Sequence, residues 1–134
     1  MVMTFQNLNQ ERRNKMGYTN YWTYEKPFTN KEWNLVKKEY EQIKNWKSVL
    51  IEDQTEHIDE IRFNGLSQGD DDLSHETFVL LKDFTKKEPI YEGDNVAWNF
   101  CKTARKPYDL AVWYLLSFVK KNTKALKEIS HDTR

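Results

Sequence analysis

The chain reads as an α+β fold: a small antiparallel sheet of about three to five strands, covered on one face by two helices. Three observations predict it. The patterned sequence opens on an aromatic, Thr-rich run suited to a pleated surface. Two stretches carry apolar residues at three- and four-residue steps. Between those stretches lie short apolar segments bounded by turn residues. The order strand, helix, strand, strand, short strand, helix groups the elements as α+β domains do.

Taken in order, residues 1–15 read as a flexible, polar N-terminal extension, and patterned sequence begins at Gly17. In Gly17 to Tyr24, residues Tyr18, Asn20, Trp22 and Tyr24 share one face of a strand, with Thr19, Tyr21 and Thr23 on the other. Thr29-Asn30-Lys31-Glu32 is a capping box, in which the Thr hydroxyl bonds a first-turn amide while Glu32 reaches back. The helix that it opens runs to about Trp46 and lays Trp33, Val36, Tyr40, Ile43 and Trp46 along one stripe.

Residues 49–57 form an acidic transition. His57 to Gly65 reads as a strand with Ile58 out of phase, and Asn64-Gly65 suits a positive-φ turn. Gly69 to Asp72 is an acidic loop; it lacks the closing Glu of a calcium loop and reads as a solvated turn. Glu76 to Lys82 is the next strand, and Val96 to Cys101 a short strand or turn. Pro107 suits the first turn of a second helix. That helix presents Leu110, Ala111, Tyr114, Leu115, Phe118 and Val119, widened by Trp113 and Leu116. The expected domain spans residues 16–126, with 127–134 a frayed tail.

At 134 residues the chain can bury one substantial core. Its 21 basic and 21 acidic residues cancel. A global basic field for nucleic acid is therefore missing, and anion binding must come from a local cluster. A single cysteine, Cys101, precludes an internal disulfide and suits a reducing cytoplasm. The three histidines lie apart, without metal-ligand spacing, and no apolar run is long enough to cross a bilayer. Neither a cofactor nor a metal is expected, nor a membrane partner; a homo-oligomer is compatible with the composition.

The chemistry concentrates in Phe100 to Asp109. Lys102, Arg105 and Lys106 precede a helix N-terminus, whose free amides and partial positive charge favour anions. A guanidinium grips a phosphate or carboxylate through two parallel bonds. Thr103 adds a neutral donor, and Asp109 either ties down Arg105 or takes a hydroxyl. Tyr21, Trp22 and Trp98 supply flat surfaces for a base. Cys101 could act as a nucleophile beside these cations, but no histidine stands at readable spacing, so it is read as a buried core thiol and no catalytic residue is assigned.

Met16-Gly17-Tyr18-Thr19-Asn20-Tyr21-Trp22 and the segment Phe100-Cys101-Lys102-Thr103-Ala104-Arg105-Lys106-Pro107-Tyr108-Asp109 resemble the end motifs of a family of small uncharacterised bacterial and phage proteins. Phe63-Asn64-Gly65 and Glu76-Thr77-Phe78 are similar as well. The resemblance implies that Tyr18, Asn20, Tyr21, Lys102, Thr103, Arg105 and Asp109 line one pocket, and it draws in Asn64. Asn20 stands where that family usually has His, which preserves hydrogen bonding but removes a base or metal ligand. The resulting expectation is a protein binding an anionic, nucleotide-derived small molecule, in one version a phage counter-defence protein that sequesters a host signal. The alternatives are an enzyme acting on a phosphorylated substrate and a protein-interaction inhibitor of a host factor.

Overall fold

The computed structural model describes residues 18–47, 49–67 and 72–133. The expected N-terminal extension, and all of the acidic loop but Asp72, lie outside the described residues. The fold is α+β; the described residues form six strands in two three-stranded antiparallel sheets rather than one sheet. β1 (Thr19–Tyr24), β5 (Trp98–Lys102) and β6 (Leu126–His131) form the first sheet, in the order β5-β1-β6. β2 (Ile51–Asp53), β3 (Glu60–Gly65) and β4 (Phe78–Leu81) form the second, in the order β2-β3-β4. The helices are α1 (Asn30–Ile43) and α2 (Asp109–Asn122).

β1 buries Asn20, Trp22 and Tyr24, and Tyr18 just before it is buried too, as the alternation requires. α1 begins at the Thr29–Glu32 capping box, with both reciprocal bonds made, and buries Trp33, Val36, Tyr40 and Ile43. Its Tyr40 ring lies 5.5 Å from Phe63 of β3, so α1 covers the second sheet. α2 packs against β6 and β1. The two sheets meet where Trp22 packs on Phe78, 5.1 Å between ring centres. Fully burying side chains of this size stabilises by roughly 1.5–3 kcal/mol each.

The structure corrects several expectations. Residues 127–131 are not part of a frayed tail; with Leu126 they form β6, paired along β1 from Asn20↔His131 to Tyr24↔Leu126. The register shifts between Thr23 and Tyr24, so Lys127 is an extra residue. That bulge lets Leu126 and Ile129, three apart, both face the core. α2 starts at Asp109, with Pro107 in the turn before it. Its buried stripe is Ala111, Val112, Leu115, Leu116 and Val119, while Leu110 and Tyr114 are exposed.

Gly65 is no positive-φ turn but the end of β3, paired with Ile51. It must be glycine because a Cβ there would lie 1.8 Å from the Leu73 carbonyl oxygen. Ile58, out of phase in the sequence, precedes β3 and is 78% exposed.

Candidate functional site

The two end motifs do meet, but they build two surfaces rather than one pocket. β1 and β5 are adjacent antiparallel strands, with Thr19↔Lys102, Tyr21↔Phe100 and Thr23↔Trp98 in register. The pleat sends alternate side chains to opposite faces of this sheet.

The inner face and the turn after β5 hold a closed polar corner. Asp109 Oδ1 accepts from the Asn20 side-chain amide at 2.6 Å and from the Thr103 hydroxyl at 2.7 Å. All three residues are buried. Asp109 thus takes a hydroxyl, one of its two expected roles, and leaves Arg105 to other partners. The carboxylate itself fills the anion's place in this corner.

Thr103 to Lys106 is a tight turn closed by the Lys106 amide donating to the Thr103 carbonyl at 3.0 Å. Its central residues, Ala104 and Arg105, have φ of 51° and 56°. Two consecutive left-handed non-glycine residues cost about 1 kcal/mol or more each. The turn folds Arg105 inward, where it is only 3% exposed. Its guanidinium lies 4.2 Å over the Tyr18 ring and donates to the Thr133 carbonyl.

The other predicted site residues scatter. Trp22 is buried in the core, so it offers no stacking surface. Asn64 clamps the chain locally: its amide donates to the His75 carbonyl and the Thr77 hydroxyl, and its oxygen accepts from the amides of Gly65 and His75. Lys106 donates to the Asp72 carbonyl at 2.7 Å. Cys101 is buried and donates to the Glu76 carbonyl; burial pushes its thiol up to about 12, so it is no nucleophile near neutral pH.

The outer face of the same strands is open. Trp98 is 47% exposed and Phe100 44%. The Trp98 ring stacks on Tyr21 at 6.1 Å and meets Phe100 at 5.3 Å, and the Lys102 ammonium sits 5.8 Å from the Phe100 ring centre. On the far side of β1, β6 places Glu128 beside Thr23 and Ser130 beside Tyr21. Tyr21 donates to Asp132 at 3.2 Å, and Asp132 also accepts from the Thr19 amide at 3.0 Å. Of the predicted residues, Tyr21, Lys102 and Trp98, the last expected as a stacking surface, belong to this face. Phe100 was missed, although its two-residue spacing from Trp98 and Lys102 was a readable signal.

A cleft of about 640 Å³ lies elsewhere, between Glu56, His57, Ile58, Asp59, Leu81 and Lys86. It shares no residue with the predicted set. Among the described residues, no group of three or more His, Cys, Asp and Glu side chains could hold a metal ion, and no helix is long and apolar enough to cross a membrane. Comparison with protein families, curated proteins and solved structures finds no match. The site is therefore argued from its own geometry.

Proposed function

We propose that the protein binds a small anionic ligand carrying a flat ring, a nucleotide or nucleotide-derived molecule, on the outer face of β5 and β1. The observation that supports this is the exposed run of Trp98, Phe100 and Lys102 beside Tyr21. Same-face residues on a strand stand roughly 6.7 Å apart. A base stacked on Phe100 would leave its phosphate about one step away, at the Lys102 ammonium, and a base on Trp98 would leave it two steps away. Stacking of a base on an aromatic side chain contributes about 1–3 kcal/mol. The acids on the β6 side, Glu128 and Asp132, disfavour a long polyanion lying across the sheet, so a small ligand fits better than nucleic acid.

The inner corner serves this reading indirectly, by fixing the ends of β1 and β5. Binding without turnover is favoured because the lone thiol is buried and protonated. In a chain whose end motifs resemble those of small bacterial and phage proteins, sequestering a host nucleotide signal in the cytoplasm is the concrete role that we propose.

Isothermal titration calorimetry against a panel of nucleotides tests the reading. The expected result is binding that weakens at least tenfold in Trp98→Ala and in Lys102→Ala. Absence of heat with every phosphate-bearing ring ligand would sink it. Mass spectrometry of recovered ligand then separates sequestration, which returns it intact, from the enzyme alternative, which yields product. Exposure of Ile90 and Tyr91 in the loop before β5 favours one other reading, a protein-docking surface. That reading predicts capture of a specific host protein that Tyr91→Ala abolishes.

A further inference from the structure

Arg105 is the residue of this molecule that its own surroundings explain least. A buried guanidinium ordinarily has a carboxylate partner, because an unpaired charge away from water is costly. Arg105 makes no ion pair among the described residues; its partners are the neutral Thr133 carbonyl and the Tyr18 ring. Its Nε–H has no hydrogen-bond partner. Arg105 is also held on a strained backbone, with left-handed φ at both Ala104 and Arg105. Strain and an orphaned donor on one buried cation are two independent marks of a site shaped for something else.

Among the described residues, the chain after β6 reaches over Arg105. After β6, Asp132 anchors to the Thr19 amide and the Tyr21 hydroxyl through its carboxylate, and its own amide donates to the Thr19 carbonyl. Thr133 then lays its carbonyl on the guanidinium. A neutral carbonyl satisfies one donor. An oxyanion would satisfy two in parallel, Nε and one terminal nitrogen, with charge to match.

We infer that Arg105 is a masked oxyanion site, specific for a phosphate or carboxylate group, with the Asp132–Thr133 segment as a competing plug. This site is independent of the proposed outer-face site: it lies on the inner side of the turn after β5 and does not use Lys102, Trp98 or Phe100. Anion and plug exclude each other, so weakening the plug's anchor must tighten the anion by the same factor.

The test follows the Arg105 Nε–H resonance by NMR while inorganic phosphate is added to the full chain at constant ionic strength, with acetate in a parallel titration. Wild type is expected to show a saturable shift of that resonance. Asp132→Ala, which removes the plug's side-chain anchors but keeps its backbone bond to Thr19, is expected to lower the apparent Kd at least fivefold. Lys102→Ala should leave the titration unchanged. The ratio of phosphate to acetate affinity tells which oxyanion class the site prefers. An Arg105 resonance unmoved by both anions in wild type and in Asp132→Ala overturns the inference. So does a shift that Lys102→Ala abolishes, since the anion would then sit on the outer face. Because Arg105 stays in place in every sample, the result does not depend on the folding of an Arg105 variant.

Discussion

The two faces of the β5-β1-β6 sheet use the same residues of chain in opposite ways. Inward, Asn20 and Cys101 are buried, and the Asn20–Asp109–Thr103 contacts are short and shut off from solvent. Outward, Tyr21, Phe100 and Lys102 alternate with them in sequence; Phe100 and Lys102 stand open, with Tyr21 half-buried beside them. A motif that reads as one polar patch along the chain is dealt by the pleat to two jobs. One side locks the corner, and the other is left free to meet a partner.

The largest effect that would test this contrast concerns Cys101. A thiol at about 12, against the ordinary 9.0, has roughly a thousandfold less thiolate at pH 8. Ellman's reagent should label Cys101 at least about a thousandfold more slowly in the folded chain than in urea. Near-equal rates would break the picture of a closed inner face. The same shift has a sign for stability. The folded thiol holds its proton above the unfolded value, so its contribution is complete below about pH 9 and is lost as pH rises toward 12. Tyr24, pushed up from 10.0 to about 12 by burial, adds to that alkaline loss. Urea midpoints measured from pH 8 to 11 should fall, and fall less steeply in Cys101→Ala.

Next comes Asp109→Ala, which strands the Asn20 amide and the Thr103 hydroxyl in a buried place. We expect a loss of about 3 kcal/mol in urea unfolding. Ala104→Gly should instead gain about 0.5–1 kcal/mol, because relief of left-handed strain outweighs the entropy that glycine adds to the unfolded chain. The smallest effect belongs to the outer face: Trp98→Ala should change stability by no more than about 0.5 kcal/mol while weakening ligand binding. A Trp98 variant as unstable as the Asp109 variant would erase the distinction between the faces.

Much of this was legible residue by residue. The Thr29–Glu32 box and the Trp33–Ile43 stripe are local signals, and α1 follows them. The alternation of Tyr18, Asn20, Trp22 and Tyr24 gave the buried side of β1. β6 was illegible for a physical reason: the bulge at Lys127 puts Leu126 and Ile129 in phase in space but out of phase in sequence. The site was half legible. Asn20, Thr103 and Asp109 do converge, but nothing local says that Asp109 would occupy the place expected for a ligand. The inward turn of Arg105 rests on two φ values that Ala and Arg rarely adopt, so residue preference argued against it.

The central position of β1 in its sheet bears on how the molecule is made. β1 leaves the ribosome well before both of its neighbours, β5 at Trp98–Lys102 and β6 at Leu126–His131. Its backbone donors must wait for those later residues to supply their partners. Pairing so distant in sequence makes for slow folding, and an aromatic strand left waiting is a target for chaperones and for aggregation. The acquisition of this sheet is thus a late event, and a nascent chain stalled before residue 126 would lack β6 and leave one whole edge of β1 unpaired.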